Sequence, residues 1–288
     1  MENIINAMLK KYNVNSVEDK KNAMKEIIQE IVLCALSRTD FFSKAAFYGG
    51  TALRIFYGLD RFSEDLDFSL MIPDTNFDFT SYFPMIEKEM NSFGIKVNIN
   101  AKEKNKDSDI KSAFIKLNTQ EHILLFYSDV NFAESIASNE RIKIKFEIDI
   151  NPPKGATFEH KYQLLPSPYE VNLYDKSSLF AGKIHAVLCR SWKDRIKGRD
   201  LYDYVFYISR DTKVNMNHLK ERLVDSEILK SDDEFDIDIL KEMLQERFDS
   251  INYESAKDDV RSFIKDKKSI EMWSSDFFKQ ITEKLKCV

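Results

Sequence analysis

Glycine and proline are scarce, at 7 and 6 in a chain of 288 residues. That scarcity excludes collagen-like, proline-rich and long flexible-linker architectures, and it makes each glycine that does occur informative. Cysteine is scarce too. Cys34, Cys189 and Cys287 stand far apart with no C-x-x-C pair, which excludes a zinc knuckle and a disulfide framework and fits a reducing compartment. No apolar run approaches the roughly 18 residues needed to cross a bilayer. Residues 1–12 lack the basic-then-apolar layout of a signal peptide, so the expectation is a soluble, cytoplasmic protein with no membrane partner. Positive charge is not in excess either: the formal net charge is −5, so any contact with nucleic acid is expected to be local.

What is present is an ordinary globular share of apolar residues, 43%, with 32% charged residues of both signs interspersed. Such a chain can bury a sizeable core. Residues 17–38 carry Ala23, Ile27, Ile28, Ile31, Val32 and Leu36 at helical spacing. Gly49-Gly50 opens a short helix that Gly58 ends, and residues 81–93 read as another, with Pro84 in the first turn and Gly94 at the stop. Residues 65–70, 95–100, 113–118, 123–127 and 142–150 read as strands, with a lysine-rich connection at 102–111. From residue 177 the pattern is helical almost throughout, with segments at 178–192, 199–209, 217–229, 235–248, 253–265 and 270–286. The stretch 164–174 reads as a boundary. The predicted fold is α/β (α+β): a mixed sheet with flanking helices over residues 1–168, then a helical domain over 169–288.

The chemistry gathers in a few places. Asp65 and Asp67 alternate with Leu66 and Phe68, so both carboxylates leave one face of a strand about 7 Å apart at Cα, a spacing at which they can share a divalent metal. Upstream, Gly49-Gly50 places bare backbone N–H groups at a helix start, where phosphate can approach closely. A third carboxylate would come from Glu147 or Asp149, both on the polar face of the strand 142–150; spacing does not choose between them. Residues 175–200 hold seven Lys or Arg against three Asp. In that stretch Lys183 and Arg190 are seven apart and share a helix face, Lys183 being placed to neutralise a triphosphate. Trp192 to Asp203 carries mixed charge into an apolar helix, with Arg199 and Asp200 as capping residues.

Four ordered blocks, GGTALR, RFSEDLDF, KFEIDINPP and SLFAGKIHAVLCRSWKDRIKGRDLYDY, resemble the AbiEii-type nucleotidyltransferase toxins, a branch of the DNA polymerase β-like superfamily. The resemblance covers most of residues 47–208 and fades after about 210. It implies an Mg²⁺-dependent transfer of NMP from NTP to an RNA acceptor, at the tRNA 3′ end, by the toxic half of a bacterial toxin–antitoxin or abortive-infection pair, with a winged-helix antitoxin encoded nearby. Carried over by motif, Gly49, Gly50, Thr51 and Arg54 form the nucleotide-side block, with Ser63 shaping the nucleotide site. Asp65 and Asp67 are the metal pair. Glu147 takes the third acidic position, with Asp149 competing for it, and Lys183 is the triphosphate lysine. Lys197, Arg199, Asp200 and Asp203 match a K-x-R-D-x-x-D block, Asp200 counting with Asp65, Asp67 and Lys183 as catalytic. Two other activities fit the same motifs: nucleotidylation of protein hydroxyls, and NTP sensing without catalysis. The segment 219–249, with eleven acidic and five basic residues, is a poor grip for RNA phosphate.

Overall fold

A computed structural model of the chain describes residues 4–102, 108–190 and 196–288. The described part of the chain forms two compact units: Met1–Thr51, Ser63–Pro152 and His160–Leu173 make the first, and Ala52–Phe62, Pro153–Glu159 and Tyr174–Val288 the second. The units are therefore not the two simple halves read from the sequence, since two short segments from the front of the chain join the helical unit.

In the first unit α1 (Ile4–Leu9) precedes the long α2 (Val17–Ser37), which opens on a reciprocal cap between Ser16 and Asp19. Ile27, Ile28, Ile31, Val32, Leu33 and Leu36 of α2 are fully buried, stabilising by on the order of 10 kcal/mol before conformational entropy is counted. After α3 (Phe41–Lys44) come β1 (Ala45–Tyr48), α4 (Gly49–Tyr57) and β2 (Leu66–Leu70). Then follow α5 (Phe83–Ser92), β3 (Asn98–Lys102), β4 (Ile110–Asn118), α6 (Thr119–Tyr127), α7 (Val130–Glu134), β5 (Arg141–Asp149), β6 (Phe158–Gln163) and β7 (Tyr169–Tyr174). The seven strands form one mixed sheet in the order β3-β4-β5-β2-β1-β7-β6. β2 lies at its centre, antiparallel to β1 and parallel to β5.

A phenylalanine cluster sets that register. Phe68 of β2 lies 4.8 Å from Phe146 of β5, 5.1 Å from Phe47 of β1 and 5.0 Å from Phe41, ring centroid to centroid. Leu66, Phe68 and Leu70 are all buried, so a slip of one residue would drive Asp67 into this cluster and push Phe68 out. Burial of one face therefore dictates where the carboxylates of the other face stand.

One expected strand is a helix, and the expected boundary stretch holds a strand. Residues 123–127 belong to helix α6, whose N-terminus is capped by Asn118 accepting from the Glu121 N–H at 3.0 Å. Its buried residues Thr119, His122, Ile123 and Phe126 follow the helical period, which a five-residue window cut short. The stretch 164–174, read as a boundary, contains strand β7, parallel to β1 through Phe47 and Leu173, and a division between the two units falls at its end, between Leu173 and Tyr174. Val171, Asn172, Leu173 and Tyr174 are all buried, so the alternation that marks a half-exposed strand is missing. Parts of the lysine-rich connection and the segment 191–195 lie outside the described residues.

The second unit holds α8 (Lys176–Cys189), α9 (Gly198–Ser209), α10 (Met216–Asp225), α11 (Ile237–Asp249), α12 (Tyr253–Val260) and α13 (Ser275–Thr282). Its core is again aromatic: Phe180 stacks on Tyr207 at 4.5 Å, and the buried Tyr204 meets Phe248 at 5.6 Å while its hydroxyl reaches Thr282 Oγ1 at 2.8 Å. α9 begins on Gly198 for a steric reason. A β-carbon there would lie 1.8 Å from the carbonyl oxygen of Ala256 in α12.

Candidate active site

The first unit carries Gly49, Gly50, Thr51, Ser63, Asp65, Asp67, Glu147 and Asp149. Gly49 has φ +82°, and a β-carbon on it would lie 2.5 Å from Asp67 Oδ2; glycine is needed both for the left-handed turn and for the close approach of the carboxylate. Two residues on, the buried Thr51 hydroxyl donates to the backbone carbonyl of Asp65. The start of α4 is thus tied to both ends of the Asp65-Leu66-Asp67 segment. Ser63 is half-buried, and its carbonyl accepts from Gln29 Nε2 at 3.2 Å.

Register separates the two candidates for the third carboxylate. Asp67 is paired with Glu147 across β2 and β5, whereas Asp149 is paired with Ser69. Glu147 therefore stands one strand spacing, about 4.8 Å, from Asp67, and Asp149 lies a further two residues along. The Glu147 carboxylate accepts from Ser112 Oγ at 2.7 Å and pairs with Lys145 Nζ at 2.6 Å. Asp149 Oδ1 instead accepts from the Asn151 N–H at 3.1 Å, shaping the turn into Pro152-Pro153. Asp65, Asp67 and Glu147 offer oxygen donors only, the chemistry of a hard divalent cation. Among the described residues no three His, Cys, Asp or Glu side chains are drawn into a closed ligand set.

The second unit carries Arg54, Lys183, Lys197, Arg199, Asp200 and Asp203. Lys183 Nζ lies 2.7 Å from Asp200 Oδ1 and 2.8 Å from Asp203 Oδ2. Asp203 is 0% exposed and is clamped by Arg61, Nε to Oδ1 and Nη2 to Oδ2, both at 2.6 Å. Asp200 Oδ2 receives Arg190 Nη1, also at 2.6 Å. Burial alone would push both carboxyls up, yet Lys183 and Arg190 around Asp200, and Arg61 and Lys183 around Asp203, hold them below the usual carboxylate range. Three cations against two carboxylates leave the cluster one positive charge in excess.

Asp203 is sealed from solvent, and its two carboxylate oxygens are taken up by Arg61 and Lys183. Arg54 donates to the carbonyls of Leu59 and Arg61 at 3.0 and 3.2 Å and lies 4.2 Å from the Phe62 ring centroid; it braces the segment that delivers Arg61. Arg199 lies 4.2 Å from the Phe263 ring centroid and 3.8 Å from Asp259. Lys197 is half-buried, and burial together with Arg190 and Arg199 holds its pKa below the usual lysine range. Arg61 was absent from the residues singled out in the sequence. The available signal was its place at the head of the RFSED block, but an arginine beside a turn reads as surface.

A family model described as nucleotidyl transferase AbiEii toxin, type IV TA system, matches residues 31–280. The chain belongs to the AbiEii nucleotidyltransferase toxin family. It is accordingly a nucleotidyltransferase toxin of a type IV toxin–antitoxin system, a class that implies an NTP substrate and an antitoxin partner. A solved structure from H. pylori described as a candidate nucleotidyltransferase shares the fold, with a TM-score of 0.50, 18% identity, and coverage of 90% of this chain and 92% of that one. Two further structures are similar: JHP933 from Helicobacter pylori (TM-score 0.48, 17% identity, 92% and 88% covered) and MenT4, a nucleotidyltransferase toxin from Mycobacterium tuberculosis H37Rv (0.46, 16%, 98% and 99%). No curated protein sequence matches the chain. Among the described residues no helix is long and apolar enough to cross a membrane.

Proposed function

We propose that this AbiEii-family enzyme moves an NMP from NTP to a hydroxyl of RNA, the 3′ end of tRNA, in a Mg²⁺-dependent reaction in the cytoplasm, and that its antitoxin is a winged-helix protein. The observation that carries the metal-dependent part is the register that sets Glu147 beside Asp67, with Gly49 against the Asp67 carboxylate. The RNA acceptor follows from the family resemblance.

In this reading Asp65, Asp67 and Glu147 hold the metal, and Asp149 shapes the turn behind them. The bound cation would neutralise NTP phosphates and lower the pKa of the attacking hydroxyl. The acceptor oxygen forms a bond to the α-phosphorus, the bond to pyrophosphate breaks, and the hydroxyl proton passes to solvent. Backbone N–H groups at Gly49 and Gly50 receive phosphate oxygens, Thr51 and Ser63 hold the shape of that loop, and Lys183 balances the charge developing on pyrophosphate. Asp200 keeps Lys183 aligned. Lys197 and Arg199 add positive potential for the polyphosphate.

The test is a transfer assay with each of four labelled NTPs against total tRNA and, separately, a protein extract. Label on tRNA is expected, and it should vanish in Asp65→Ala and Lys183→Ala proteins that still fold. Label on protein alone would overturn the RNA acceptor, and full transfer by folded Asp65→Ala would overturn the metal site.

A further inference from the structure

Arg190 is the most exposed of the three cations in the cluster. It follows α8 directly, in an extended conformation with φ −64° and ψ 123°. Both of its backbone polar groups are held: the N–H donates to the Ala186 carbonyl at 3.3 Å, and the carbonyl accepts from Arg247 Nη2 at 2.7 Å. The origin of the side chain is therefore fixed. Asp200 works as a bracket, one carboxylate oxygen taking Lys183 Nζ at 2.7 Å and the other Arg190 Nη1 at 2.6 Å, so that the two cations are held side by side.

Their exposures differ: the side chain of Lys183 is 15% exposed and that of Arg190 48%. Arg190 Nε and Nη2 have no protein partner among the described residues. A single carboxylate already paired with a half-buried lysine gains little from a second, more exposed cation, since exposed pairs contribute about 0–1 kcal/mol. The surplus positive charge of the cluster, three cations against two carboxylates, calls for an anion. A guanidinium with two donors left on one edge suits phosphate oxygens, which it binds in a bidentate fork.

We infer that Arg190 is a second polyphosphate-binding residue, gripping phosphate oxygens of NTP and pyrophosphate through Nε and Nη2 beside Lys183, with Asp200 setting the distance between the two cations. The inference rests on the reading of Lys183 as the polyphosphate lysine, and the test separates the two. Calorimetry on the full chain would use inorganic pyrophosphate alone, in the presence of a chelator, alongside steady-state transfer kinetics and thermal unfolding. Arg190→Gln is expected to weaken pyrophosphate binding and raise KM for NTP by about tenfold each, as loss of a charge-assisted pair does, with little change in the thermal midpoint. Arg190→Lys should recover part of the affinity, because a lysine keeps the charge and loses the fork. Unchanged pyrophosphate affinity in folded Arg190→Gln, whether or not stability drops, would overturn the inference. If Lys183→Ala weakens pyrophosphate binding while Arg190→Gln does not, Arg190 alone loses its role; if neither weakens it, the polyphosphate role of Lys183 falls too.

Discussion

Removing Arg61 would expose what the buried cluster contributes. Arg61→Met keeps most of the side-chain volume and deletes both 2.6 Å contacts to Asp203. Asp203, 0% exposed, is then left with Lys183 at 2.8 Å, shared with Asp200. Breaking a buried pair from one side costs about 3–5 kcal/mol, a large part of the 5–15 kcal/mol typical of a folded protein. At about 2–4 °C per kcal/mol for a domain of this size, the thermal midpoint should fall on the order of 10 °C. The double variant Arg61→Met/Asp203→Leu removes both charges and should recover most of the loss, because no uncompensated carboxylate remains. Thermal unfolding of wild type, both single variants and the double variant forms a complete cycle. Destabilisations that simply add, leaving the double variant worse than either single one, would refute the reasoning. The effect also has a pH signature. The Asp203 carboxyl is held below the ordinary aspartate value of 3.8 in the folded chain, with Arg61 and Lys183 outweighing its burial, so the pair stabilises above that value and its contribution disappears as pH falls through the folded pKa. The difference between wild type and Arg61→Met should be full at pH 7 and shrink below about pH 4.

Two further outcomes are expected. Gly49→Ala must place a β-carbon 2.5 Å from Asp67 Oδ2 at φ +82°; we expect about 1–2 kcal/mol of destabilisation from the backbone conformation and a loss of transfer of at least about a hundredfold as the carboxylate is displaced, measured by kcat on the folded variant. His185 and His218 are held neutral, their pKa values lowered to about 4 from the ordinary 6.5, chiefly by burial, with Arg222 nearby also disfavouring the charge. Between these values the unfolded chain binds protons that the folded chain does not, so stability should fall as pH drops from 6.5 to 4, by about 2 kcal/mol per histidine at pH 5. Denaturant titrations across that range should show a shallower slope in His218→Gln.

Much of the architecture was legible in the sequence because local period reports local burial. The alternation in residues 142–150 and the apolar stripe of residues 17–38 correspond to β5 and α2, and the helical run after residue 177 corresponds to α8 to α13. Reading failed where no clear period was on view. β7 is buried on both faces and carries no alternation, while α6 hides a helical period inside a short apolar run.

The candidate site divides along the same line. Asp65 and Asp67 share a face because they are two residues apart on one strand, which sequence spacing determines by itself. Choosing Glu147 over Asp149 required the pairing of β2 with β5, decided by phenylalanines packing beneath the sheet. Lys183 was legible as a cation on a helix, and Asp200 and Asp203 as members of a motif, but their pairing with Lys183 and the arginine clamping Asp203 from 142 residues away were not. Ion pairs between distant segments leave no periodic trace in either one. Only the tertiary structure, by burying Asp203, decided that Arg61 had to be there to balance it.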